Sequence, residues 1–173
     1  MRARAKGRAF GAALALLAAW RMIQPAAADE TRIRIMLVTP EGLGATIGTM
    51  RASDGAQGVR LIPLLKSLAP GPHAAMIHAN ASCEPAEIDG KKIAAGAAGG
   101  AFVVTKPDRS GDAAGKPPPQ LRPFVLSVDN DGIARAATTI LDVKLEMIKG
   151  RTIVIEDGAA SAGGLHAACG VIP

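Results

Sequence analysis

Gly71–Cys83 reads GPHAAMIHANASC, and the interpretation of the chain turns on this stretch. It holds two of the three histidines, His73 and His78, with Met76 between them, and one of the two cysteines. Imidazole nitrogen and thioether sulfur are both metal donors, the sulfur favouring copper(I). Cys83 has one possible partner within the chain, Cys169, four residues from the C-terminus. Leu68–Pro72 (LAPGP) is a turn, so Ala74–His78 is expected to be a strand that starts from it.

Alternating apolar residues surround this centre. Thr31–Thr39 (TRIRIMLVT) sets Ile33, Ile35 and Leu37 two residues apart, the period of a half-buried strand. Ala45–Arg51 is expected as a second strand. Ser53-Asp54-Gly55 and Gln57-Gly58 mark a turn, and Val59–Leu65 is its hairpin partner. Pro63 has no N–H to give to a ladder, which places its strand at an edge or bends it. From Ala79 to Lys116 regular structure fades, and the glycines of Gly96–Ala101 oppose a helix there. Ser110–Pro123 is read as a stiff surface loop in preference to a polyproline docking site. Further strands are expected at Phe124–Val128, Ala134–Leu141, Arg151–Ile155 and Ala167–Ile172, with a turn at Asp129–Gly132 and a glycine-rich loop at Gly158–Gly164. Asp129-x-Asp131-Gly132 fails as a calcium loop, because Ser127 and Thr138 stand where carboxylate ligands are required. Short strands and frequent turns specify an antiparallel sandwich or barrel.

Arg2, Arg4, Lys6 and Arg8 precede an apolar run, Phe10–Trp20, and Ala26-Ala27-Ala28 offers a cleavage point. Residues 1–28 are therefore expected to be a signal peptide and residues 29–173 one domain, periplasmic or secreted. The run falls short of the about 20 apolar residues that span a bilayer, so no membrane attachment is expected once it is removed. The whole chain carries 20 Lys+Arg and 15 Asp+Glu. Five of the basic residues and none of the acidic ones precede Asp29, so the remainder is neutral. With no Tyr, and its single Trp inside the leader, the domain lacks the basic, aromatic-lined surface of a nucleic-acid binder. Two cysteines in an exported chain suggest one disulfide in preference to a thiolate metal site or two free thiols. Asn80-Ala81-Ser82 fits a glycosylation sequon of little weight, and Lys91-Lys92 is a solvated charge pair.

Three blocks carry a resemblance over nearly all of the domain. Leu68–Ala86 (LAPGPHAAMIHANASCEPA), Ala97–Ala101 (AAGGA) and Lys149–Ile172, ending in AACGVI, occur in the order found in the bacterial secreted copper/zinc superoxide dismutases. The resemblance implies an eight-stranded antiparallel Greek-key β-barrel or sandwich with long loops, and Cys83 and Cys169 as its disulfide. It also implies that most of the active site is replaced. Of the four copper-ligand positions, the first is Met76, the second keeps His78, the bridging histidine falls on Ala101 and the fourth falls on Glu156. His166 stands at the position of the arginine that guides superoxide. Gln120-Leu121-Arg122-Pro123 lacks the zinc-ligand carboxylate, and zinc is not expected. His73 matches a position that pins loops by hydrogen bonds.

Dismutation needs a redox-cycling copper with an open position and a positive guide for the anion. His78, Met76, Glu156 and His166 are left as a candidate copper set, and no residue is assigned a catalytic role. Three function classes follow: a vestigial dismutase, a copper-binding protein, and a metal-free barrel that binds another macromolecule. The expectation is little or no dismutase activity, with the protein partner left open.

Overall fold

The computed structural model describes residues 30–104, 121–158 and 165–173. The expected signal peptide, most of the proline-rich loop and most of the glycine-rich loop lie outside the described residues. Ten strands are described: β1 Glu30–Thr39, β2 Gly42–Gly55, β3 Gly58–Leu65, β4 Gly71–His78, β5 Ala86–Ile88, β6 Lys91–Ile93, β7 Phe124–Val128, β8 Thr138–Leu141, β9 Thr152–Glu156 and β10 His166–Val171. Eight of them form one antiparallel sheet in the order β7-β4-β9-β10-β1-β2-β3-β8, and β5 and β6 pair as a separate hairpin. Ala134 bridges both Leu65 and Val128, so the two edges of the large sheet approach and the barrel nearly closes.

Alternation along the strands fills this barrel. Ile33 and Ile35 of β1, Leu61 of β3, Ile77 of β4, Leu126 of β7 and Ile153 and Ile155 of β9 are all buried in one cluster. Burying a side chain of this size stabilises by about 1.5–3 kcal/mol. A second, smaller cluster lies on the outside of β9 and β10, where Val154 and Cys169 are covered by Val38, Cys83 and the alanines Ala94, Ala95 and Ala98. The loop from Ala79 to Val104 is thus packed on the barrel wall. Cys83 and Cys169 form the disulfide, with Cα atoms 5.7 Å apart across 86 residues of sequence. In the chain-entropy account a bridge of that span stabilises by ~4 kcal/mol.

Several elements differ in extent from the sequence expectation. β2 begins at Gly42, because Val38 and Thr39 pair back onto Leu43 and Gly42 after a bulge. The hairpin turn is the two residues Ala56-Gln57, with Gly55 opposite Gly58. A Cβ on Gly48 would lie 2.0 Å from the Leu64 carbonyl oxygen at φ +148°, so only glycine fits that crossing. Pro63 pairs with Met50 of β2, while β8 reaches only to Leu61, leaving proline on the unpaired side as its missing N–H requires. The strand expected at Ala134–Leu141 is confined to Thr138–Leu141. The expected Asp129–Gly132 turn is present: the Asp129 carboxylate accepts from the N–H groups of Asp131 and Ile133. A four-residue helix, α1 Leu145–Ile148, and the β5–β6 hairpin were not foreseen. No helix of the described residues is long and apolar enough to cross a membrane.

Candidate functional site

β4 and β9 run side by side, with Met76 opposite Val154 and His78 opposite Thr152. Since Ala75 and Ile77 enter the barrel core, alternation turns Met76 and His78 to its outer wall. On the next strand Cys169 is opposite Val154, so Met76, Val154 and Cys169 form one row across three strands. His166 is opposite Glu156, with a bulge between His166 and Ala168 that re-aims the strand end.

Two imidazoles meet on this wall. The rings of His78 and His166 are 5.9 Å apart between centroids and close to perpendicular, at 76°. His78 Nδ1 lies 2.6 Å from the Gly99 carbonyl oxygen, and His166 Nδ1 lies 2.5 Å from that of Ala94. A carbonyl accepts only, so each Nδ1 carries a proton, which in the neutral ring leaves the lone pair on Nε2. Both carbonyls come from the alanine- and glycine-rich segment of the packed loop. His78 is held below its ordinary protonation range of 6.5, first by burial and also by the charge of His166; the Gly99 bond and the Glu156 carboxylate oppose this.

Glu156 is buried, and its Oε2 has no hydrogen-bond partner among the described residues. Its backbone carbonyl lies 2.7 Å from His73 Nδ1. His73 is itself buried, with Nε2 2.8 Å from the Ala69 carbonyl and the Gly158 N–H 3.2 Å from Nδ1. It ties the turn before β4 to the end of β9. Arg151 was not singled out from the sequence. Its guanidinium lies 4.5 Å from the Phe102 ring centroid and donates to the Ala79 carbonyl beside His78. Its signal, a lone arginine after a glycine, is not distinctive.

The chain is 37% identical over 163 residues to superoxide dismutase [Cu-Zn] 2 of Salmonella typhimurium, covering 85% of this chain and 90% of that protein. The chain belongs to the copper/zinc superoxide dismutase family. Among solved structures, the copper/zinc superoxide dismutase from Brucella abortus matches with a TM-score of 0.70 at 28% identity, covering 84% of this chain and all of that one. The monomeric copper, zinc superoxide dismutase from Salmonella enterica matches with a TM-score of 0.66 at 36% identity over the same share. No family model matches the chain.

Within this dismutase fold the sequence-derived positions fall as follows. Ala101 forms a single β-bridge with His78, which puts a methyl group beside the imidazole where the resemblance implies a bridging histidine. Glu156 and His166 are paired across strands, and His166 is in ring contact with His78. Met76 shares their wall. His73 faces backbone carbonyls on both ring nitrogens. The described residues bring together no three His, Cys, Asp or Glu side chains able to hold one ion.

Proposed function

We propose that this is an exported, superoxide dismutase-like barrel with a degenerate metal site and little or no dismutase activity. The observation that supports the reading is the bridge between Ala101 and His78: Ala101, which the resemblance aligns with the bridging histidine, brings no donor atom to His78. Glu156 at a second copper position adds a carboxylate in place of an imidazole. An all-nitrogen site suited to copper cycling is then missing, and His166 offers less steady positive charge than arginine for drawing in superoxide. Zinc is left without its expected carboxylate at Gln120–Pro123. Residues 1–28 direct export, and residues 29–173 are the working domain in the periplasm or outside the cell. The test is metal content and superoxide consumption of the protein purified from the periplasm, before and after loading with copper and zinc. Dismutation at a diffusion-limited rate with one copper per chain overturns the proposal.

One observation favours a second reading, weak copper binding. His78 and His166 each spend Nδ1 on a backbone carbonyl, the arrangement that orients Nε2 for ligation. Met76 on the same wall would favour copper(I). Titration with copper(I) separates the two readings: binding weaker than micromolar, or unchanged in His78→Ala, leaves the metal-free one.

A further inference from the structure

The opposite wall of the barrel carries a feature that the dismutase fold does not require. Arg32 of β1 is directly opposite Arg51 of β2, and Arg51 is opposite Ile62 of β3. Like charges opposite one another on neighbouring strands destabilise a sheet. Together with Arg135 and the exposed Leu64, these arginines line an open groove of about 510 Å³ floored by Ile62 and Pro63. Alternation puts Arg34 and Arg60 on the same outer face.

Little on this face neutralises the charge. Arg51 reaches Glu30 at 3.8 Å and Arg135 reaches Asp129 at 3.6 Å, both between exposed side chains, where such pairs contribute little. Arg32, Arg34 and Arg60 make no ion pair among the described residues. The domain as a whole is neutral by sequence, so the clustering is local.

The geometry points to this face as a docking surface for an anionic phospholipid leaflet. Guanidinium forks match phosphate oxygens bidentately. An open groove cannot enclose a small molecule as ligand pockets do, and Arg34 and Arg60 extend the charge beyond the reach of one small anion. A second copy of the chain is disfavoured, since a two-fold contact would set arginines against arginines. The groove has no Tyr, Trp, Phe or Met, the side chains that accompany arginine at the buried centre of protein interfaces. Leu64, 66% exposed at the groove edge, supplies the apolar contact of an interfacial residue. The contact is adsorption to a surface and needs no spanning segment.

The test is co-sedimentation of the periplasmic protein with vesicles of phosphatidylcholine alone or mixed with about one-third phosphatidylglycerol. Binding is expected only to the anionic vesicles, falling steeply with salt. The Arg32→Gln/Arg51→Gln variant should bind roughly 30-fold more weakly, each surface cation contributing about fivefold. Its melting temperature should hold or rise, because the cross-strand repulsion is gone, which separates lost binding from lost folding. Leu64→Ser should weaken vesicle binding and leave the salt dependence in place. Equal binding to neutral vesicles, or equal binding by the double arginine variant, overturns the proposal. So does release by inorganic phosphate beyond that caused by chloride of equal ionic strength, which assigns the groove to a small anion. Binding to soluble polyglutamate as tight as to vesicles assigns it to an acidic protein, with the same consequence.

Discussion

His78 and His166 stand edge to face on the outer wall of the barrel, 5.9 Å between ring centroids, each tied through Nδ1 to a carbonyl of the same packed loop. The contact joins the end of β4 to the start of β10 and places His78 where the charge of His166 disfavours its protonation. His78 takes up a proton less readily in the folded protein than when exposed, chiefly because it is partly buried. The unfolded chain then binds more protons as pH falls below 6.5, and stability is lost through that window down to the lowered folded value. Above 6.5 this contribution is fully present. Urea unfolding from pH 8 to pH 5 should show a loss that is smaller in His78→Gln; an identical loss in both proteins rules out His78 as its source.

Restoring an imidazole at Ala101 should change metal binding more than any other single substitution. Ala101 is already bridged to His78, so a histidine there adds a third nitrogen to an oriented pair. Ala101→His is expected to tighten copper binding on the order of tenfold or more, given that even outer partners of metal ligands are worth 10–100-fold. Competition against a chelator of known affinity measures it. No gain would mean that the wall cannot gather three donors.

The disulfide stabilises independently of any metal. Cys83 anchors the loop that supplies Gly99 and Ala94, and Cys169 sits fully buried in β10. Cys83→Ser with Cys169→Ser should cost about 2–5 kcal/mol and lower the melting temperature by roughly 10 °C. The same variant should weaken the His78–His166 contact, visible as a change in the His78 titration by NMR. A fall in stability without that change would show that the loop keeps its place unaided.

The barrel was legible because most of its strands alternate. Ile33 and Ile35, Val59 and Leu61, and Ile153 and Ile155 each announce a core face, and the structure buries all six. The β5–β6 hairpin carries a signal too, Asp89-Gly90 between Ile88 and Ile93, but it sits in a stretch whose alanines and glycines hide any strand period. Helix α1 had none: its first N–H is satisfied by the Asp54 carboxylate at 2.9 Å, a partner far away in sequence. The site divides in the same way. His73, His78, Glu156 and His166 were legible as residues. The carbonyls of Gly99 and Ala94 that hold two of the rings are backbone atoms of a low-complexity stretch, which no residue pattern marks. The arginine-lined groove was visible only once strand register set Arg32 against Arg51.

Arg151 holds the loop by a different means. Its guanidinium covers the Phe102 ring and donates to the Ala79 carbonyl, one residue beyond His78. Arg151→Met keeps most of the volume and removes both interactions, at an expected cost of about 2 kcal/mol. Arg151→Lys keeps the charge but not the planar fork and should recover only part of that. Chemical denaturation of the three proteins decides it: a full recovery by lysine would show that charge alone suffices.

The charges around His78 can be tested in opposite directions. Burial, the largest influence, disfavours its protonated form, His166 adds to that, and Glu156 opposes it. Glu156→Gln removes the favourable carboxylate and should move the His78 titration further down. His166→Asn removes the unfavourable cation and should move it up, while its shorter amide gives up the ring contact. Glu156 Oε2 has no partner to lose, so the glutamine should be tolerated in stability, within about 1 kcal/mol. NMR titration of the His78 ring protons in the two variants reads both shifts. If they move in the same direction, desolvation has changed in both, and the electrostatic arrangement on this wall is not the one that sets the protonation of His78.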